Sequence, residues 1–177
     1  MATTPTKLMT VAEYQQIPAP PGGRYELHHG ELIKVAYPEF PHVRGQWQIR
    51  RLLEGAAGEA GVVEKEMPFR PLPEHECWSA DVAFVSIERW QSIDRWLFGA
   101  PDLVVEVLSP SNTAGKMLDK EKMCLENGAV EFWVVDIDRQ QIKVSTPDGH
   151  TITYKSGQEI ALFFAPGKSV SVSAIFA

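Results

Sequence analysis

No stretch of this 177-residue chain approaches the roughly 18 consecutive apolar residues that a membrane-spanning helix needs. The opening MATTPTKLMTVAEY has neither the basic region nor the apolar core of a signal peptide. Cysteine is nearly absent. Cys77 and Cys124 lack the spacing of metal ligands and are too few for a disulfide framework. Together these absences point to a reduced, cytoplasmic protein. Basic residues are in the minority, 17 Lys and Arg against 23 Asp and Glu, for a net charge of −6. That balance argues against a non-specific nucleic-acid coat. It leaves room for a local basic groove beside an acidic metal site. Arg44, Arg50 and Arg51 either line such a groove or form the solvated face of an amphipathic helix. Internal repeats, low-complexity tracts and dividing linkers are also missing, so one α/β domain with a mixed sheet, spanning 1–177, is expected.

What is present centres on Pro101 to Asp136, which reads as strand, turn, helix, strand. Leu103 to Leu108 is an apolar, β-branched run of the kind covered on both faces. Glu106 interrupts it, and a carboxylate there is costly to bury unless it is paired or binds a cation. Ser109-Pro110-Ser111-Asn112 turns the chain, with Ser111 or Asn112 as helix cap. The helix is predicted from about Thr113 to Asn127 with Gly128 at its end. Val130 to Val135 returns as a strand, closing a right-handed parallel crossover.

Elsewhere, Thr10 and Glu13 form a capping box for a short helix running to Ile17. Arg24 to Ile33 reads as a hairpin turning at His29-Gly30, with Glu26 and Glu31 flanking the turn. Such exposed hairpin carboxylates are usually solubilising, and a functional role is the alternative. Pro38 to Pro41 is a loop. His42 to Ala57 is a helix whose apolar positions include Trp47, ended by Gly58. Val62 to Phe69 and Asp81 to Ser86 are strands, Asp81 standing at the entrance of the second. Trp90 and Trp96 are packing anchors in a partly helical segment. Gln141 to Ser145 pairs with Thr151 to Lys155, and two short strands follow at Glu159 to Phe164 and Ser169 to Val172.

Two carboxylates on neighbouring strands, Asp81 and Glu106, can converge at a sheet edge or fork. Such a pair is the minimum protein contribution to a Mg²⁺ or Mn²⁺ site, because these hard cations take oxygen ligands and keep several waters. A lysine nearby can orient water or neutralise phosphate charge. Lys120 has Met117, Met123 and Cys124 as helical neighbours, whereas Lys122 has Asp119 and Glu126 within a turn. Lys120 is therefore the one expected to point inward, the alternative being a lysine snorkelling along an apolar surface.

The stretches MTVAEY, RYELHHGELI, SADVAFVS, APDLVVEVLSPSNTAGK and KEKMCLENGAVEFWVVD, in that order, resemble the Uma family of restriction-endonuclease-like proteins. The resemblance runs from about Thr10 to Asp138 and more weakly beyond. It implies a PD-(D/E)XK nuclease fold, here with an N-terminal hairpin and a C-terminal β extension. It also implies Mg²⁺- or Mn²⁺-dependent hydrolysis of phosphodiesters, DNA being the expected partner. By position, Asp81 matches the first catalytic acid and Glu106 the E of E-x-K. The position of the motif lysine is Leu108, so the resemblance is to the variant whose lysine lies on the next helix, at Lys120. Glu26 matches a glutamate of the YELxxGEL segment and is a candidate fourth catalytic residue. Ala80 stands where proline is usual, and Cys124 where tyrosine is usual. Asp102 also follows a proline, but four residues before Glu106 on one strand, and the role is assigned to Asp81.

The expected mechanism has Asp81 and Glu106 holding one Mg²⁺ ion while Lys120 polarises a metal-bound water for in-line attack on phosphorus. A catalytically idle module that binds nucleic acid or a protein partner is the competing reading. A hydrolase of other small phosphoesters is a third. His42 either contacts phosphate or caps its helix, the cap being favoured. A zinc site from His75, Cys77 and His28 or His29 lacks paired spacing. A homodimer follows only by analogy with nucleases that cut both strands.

Overall fold

Thr10 accepts the Glu13 amide and Glu13 returns to the Thr10 amide, so the capping box forms as the sequence predicts and opens α1 (Val11–Tyr14). The computed structural model describes residues 7–110 and 112–177. β1 (Gly23–His28) and β2 (Glu31–Ala36) pair antiparallel as a hairpin. His29 and Gly30 both take positive φ, 53° and 72°, the pattern of a tight two-residue hairpin turn.

Among the described residues, the principal sheet has six strands: β3 (Gly61–Phe69), β4 (Trp78–Ser86), β5 (Leu103–Val107), β6 (Glu131–Asp136), β7 (Gln141–Ser145) and β8 (Thr151–Lys155). Their spatial order equals their sequence order, and only β5 and β6 run parallel. The connection between those two carries α4 (Ala114–Glu126), as a parallel pair requires a crossover. The result is a mixed α+β fold.

Every residue of β5 is buried, and successive side chains supply opposite layers. On one face Val82, Phe84, Leu103 and Val105 pack with Ile49, Leu53 and Ala57 of α2 (Phe40–Ala57). Ile160 of β9 (Glu159–Ala161), Val170 of β10 (Ser169–Ser171) and Ile175 of α5 (Val172–Ile175) complete that layer. On the other face Ala83, Val85, Val104 and Phe132 pack with Met117 and Cys124 of α4. Each large apolar side chain so buried contributes roughly 1.5–3 kcal/mol.

Several local expectations are corrected. α2 begins at Phe40 behind the N-cap Glu39, with Pro41 in its first turn, so Phe40 and Pro41 are helical and His42 is not a cap. Proline fits there because its missing N–H is not needed. Asp81 lies in the interior of β4, three residues past its start. Thr113, not Asn112, caps α4 by accepting the Lys116 amide, while Asn112 accepts from the Ser109 amide. Ser111, the other expected cap, lies outside the described residues. Asn127 is the C-cap and Gly128 follows it at φ 114°. Trp96 packs against the small cluster of Val11, Leu27 and Cys77. Trp90 of α3 (Ile87–Ser92) and Trp47 of α2 are exposed.

Candidate active site

β4 loses its grip on both neighbours at one residue. Its ladder with β3 runs through Lys65–Val82 and resumes at Met67–Ala80, skipping the Glu66–Asp81 pair. Glu66 sits at φ 52°, a left-handed conformation that costs a non-glycine residue roughly 1–2 kcal/mol. The ladder with β5 ends at Val82–Val105. Past that point Asp81 uses its side chain where a strand would use its backbone: Oδ2 accepts the Val107 amide at 2.7 Å. Oδ1 accepts from Gln46 Nε2 at 3.0 Å and lies 3.2 Å from His42 Nε2. Both of those come from α2.

Glu106 stands beside it. Its Oε1 accepts the Asp81 amide at 3.3 Å and pairs with Lys120 Nζ at 2.7 Å. Lys120 also donates to the Ser79 carbonyl at 2.6 Å. Lys122, two residues on, pairs with Glu126 at 3.9 Å on the surface. The structure thus brings Asp81, Glu106 and Lys120 together, on the residues that strand and helix geometry single out. Glu26 joins them from the hairpin. It is buried, with Arg24 on Oε1 at 3.0 Å and His28 on Oε2 at 2.8 Å. Three ties fold the hairpin over the fork. His28 stacks on Trp78, the His29 amide donates to the Glu76 carboxylate, and His29 Nε2 reaches Asp119 of α4 at 2.8 Å. A cavity of about 380 Å³ lies between these walls, lined by Glu26, His42, Asp81, Glu106, Lys116 and Lys120 among others.

The electrostatics follow from packing three carboxylates against one lysine. Burial lowers the Lys120 ammonium, but Glu106, Glu26 and Asp81 outweigh it and the net shift is upward. Lys120 therefore keeps its proton at neutral pH. Glu106 is raised, chiefly by burial, with Lys120 opposing and Asp81 adding to the shift. Burial would raise Glu26 too, yet the His28 hydrogen bond and the Lys120 charge hold it down at about 2. Asp81 is likewise lowered: His42 and Lys120 overcome its desolvation. His42 is raised, since Asp81, Glu66 and Glu106 exceed the burial effect.

Among the described residues no three His, Cys, Asp or Glu side chains are arranged as an ion-holding cage. His75 is turned to the Met9 carbonyl and Cys77 packs with Val11 and Leu27, so the zinc grouping does not assemble. The two-carboxylate fork fits a different ion. Paired carboxylates completed by water and phosphate oxygens suit Mg²⁺ or Mn²⁺. Asp102 is occupied structurally by Arg89 and the Ser86 amide. Glu31 is exposed at the cavity rim.

Three neighbours of the fork escaped sequence reasoning. Gln46 bridges Asp81 and Glu66, and lies one turn from His42, a spacing that puts both on one helical face. Arg24 ties Glu26 to Glu66. Arg24, Glu26 and His28 alternate along β1 and share a face, a signal present in the letters RYELH. Glu66 carries no comparable signal.

Among the described residues, no helix is long and apolar enough to cross a membrane. A search of curated proteins finds no match to the chain. Among solved structures, the chain is similar to "a putative nuclease belonging to DUF820" from Anabaena variabilis, with a TM-score of 0.84 at 20% identity, covering 95% of this chain and 97% of the other. That likeness shows that the two chains share one mixed α+β fold around a central mixed sheet. A family model described as "Uma2: Putative restriction endonuclease" matches residues 11–176. With nearly the whole sequence matched, the chain belongs to the Uma2 family.

Proposed function

We propose that this chain is a divalent-metal-dependent nuclease hydrolysing phosphodiester bonds of nucleic acid, DNA being the substrate that the family resemblance favours. The observation that carries the reading is the meeting of Asp81, Glu106 and Lys120 at the β4–β5 fork, at the base of an open cavity. Asp81 and Glu106 would hold Mg²⁺ or Mn²⁺, which when bound supplies charge stabilisation at phosphoryl oxygens and a more acidic water. Lys120, protonated and fixed by Ser79 and Glu106, acts as a positive charge and hydrogen-bond donor rather than a general base. It offsets the negative charge that grows on the phosphoryl oxygens. His42 and Gln46 hold the Asp81 carboxylate in place. Glu26 acts from behind, its charge keeping Lys120 protonated.

Cleavage of end-labelled DNA and RNA with Mg²⁺ or Mn²⁺ tests this. Asp81→Asn, Glu106→Gln and Lys120→Met should each lower the rate on the order of 10²-fold or more, and Lys122→Met should not. Calorimetric titration of Mn²⁺ should show binding that Glu106→Ala abolishes. Wild-type protein that neither takes up Mn²⁺ nor cuts any nucleic acid would favour the idle binding module instead. We further propose that residues 1–177 act as one domain, in a reducing cytoplasm where Cys77 and Cys124 stay free thiols. A homodimer would suit two-strand cleavage, and a single monomeric species in sedimentation velocity would retire that part.

A further inference from the structure

α2 has an outward face that its packing does not explain. Phe40, Arg44, Trp47 and Arg51 recur at i, i+4, i+7 and i+11, a narrow stripe opposite the buried Ile49 and Leu53. Trp47 is 54% exposed and Phe40 77%, and Tyr37 just ahead of the helix is 69% exposed. A stripe of large aromatics turned to water is unusual enough to ask what covers it.

The charges beside it narrow the answer. Arg44, Arg51 and Lys65 form no ion pair among the described residues, whereas Arg50 is occupied by Glu54 and Glu64. Arg51 lies over the Trp47 ring at 5.3 Å, and Lys65 lines the same shallow depression as Phe40, Arg44 and Trp47. A chain of net charge −6 therefore concentrates unpaired cations around exposed rings. Unpaired cations interleaved with aromatic faces fit a polyanion that carries its own flat rings. The stripe covers roughly 16 Å at 1.5 Å per residue. It begins beside Pro38 and His42, which line the cavity above the fork.

We propose that this stripe binds single-stranded nucleic acid, bases stacking on Phe40 and Trp47 and phosphates pairing with Arg44, Arg51 and Lys65, and leads it to the cavity. The proposal rests on the nuclease reading and specifies its substrate as an unpaired strand. A duplex keeps its base faces stacked internally and offers the rings nothing to hold, so the exposed aromatics favour the unpaired form.

The test is fluorescence anisotropy with labelled oligothymidylate and oligouridylate, and with the oligothymidylate annealed to its complement. Measurements in EDTA read binding without cleavage. Wild-type protein should bind the single strands more tightly than the duplex. Trp47→Ala should weaken single-strand binding about tenfold, and Trp47→Phe should retain most of it. Arg44→Gln with Arg51→Gln should flatten the slope of log K against log salt by about 1.4, at roughly 0.7 for each phosphate that is no longer neutralised. All of these positions are exposed, and an unchanged circular-dichroism melt would verify folding. No binding by the wild type, a preference for duplex, or binding that the variants leave intact would each overturn the proposal. A concentration-dependent dimer that Trp47→Ala dissociates would also overturn it, assigning the stripe to a second copy. Failure of the nuclease reading looks different: single strands bind through the stripe, yet no Mg²⁺- or Mn²⁺-dependent cleavage follows.

Discussion

α2 and α4 approach the β4–β5 fork from opposite faces of the sheet, and each delivers polar groups to it. His42 and Gln46 of α2 reach Asp81, while Lys120 of α4 reaches Glu106. Their outward faces diverge. α4 shows water an ion pair, Lys122 with Glu126, which is ordinary solvated helix surface. α2 shows rings together with Arg44 and Arg51, which form no ion pair among the described residues, beside an Arg50 paired with Glu54. The comparison is sharpest within α4, where two lysines stand two residues apart. Lys122 is exposed and its pair is worth little. Lys120 is the shared cation of three carboxylates, and losing it would leave buried negative charge uncompensated. One side-chain chemistry thus has two energetic meanings, decided by which way the helix turns it.

Breaking that contrast at Lys120 should produce the largest effect. Lys120→Met is expected to cost about 3–5 kcal/mol, read from urea unfolding, and the loss should grow as pH rises through about 8, where Glu106 gives up its proton beside Lys120. A loss no larger than that of Lys122→Met would mean that Lys120 is not the cation holding the cluster together.

Glu26 comes next. Its folded pKa of about 2, against an ordinary 4.5, means the folded state releases the proton more readily. The stability it contributes is present above pH 4.5 and is lost as pH falls toward 2, roughly 3 kcal/mol at full extent. Glu106 is raised and works oppositely, its contribution present below its ordinary value and fading as pH rises. The difference between wild type and Glu26→Gln, followed from pH 7 to acid, isolates the Glu26 part. It should narrow as pH drops, and a constant gap would contradict the assignment.

Gln46→Ala removes the donor shared by Asp81 and Glu66 and should cost about 1–3 kcal/mol. Chemical denaturation measures the loss, and a rate of nucleic-acid cleavage falling with it would mark Gln46 as a positioning residue. Lys122→Met should be smallest, within about 0.5 kcal/mol. A larger shift would erase the distinction between the two faces of α4.

Much of the fork was legible because its signals are local. A lone glutamate in the run LVVEV demands a partner, and helical spacing alone separates Lys120 from Lys122. The capping box, the His29-Gly30 turn and the strand pair Gln141 to Ser145 with Thr151 to Lys155 follow from turn and pairing chemistry within a few residues. Trp47 departs from its expected place for the converse reason. Periodicity ranks side chains by their preference to leave water, and so places Trp47 inward. The fold buries Gln46 and Gln48 there instead, because Asp81 and Glu66 meet Gln46 and the Ala174 carbonyl meets Gln48. No window on α2 contains those partners.

The sequence by itself determined the strand and helix periods and the turn positions, since each depends on neighbours within one or two turns, while the nuclease-like order of acid, acid and lysine is what the family resemblance implies. Only the tertiary structure decided that β4 releases both neighbours at Asp81, and that a distant hairpin folds over to add Glu26. It also decided that α2 keeps its glutamines in and its aromatics out. These depend on which groups lie across from one another in space, and a buried polar atom takes its position from its partner, not from its place in the chain.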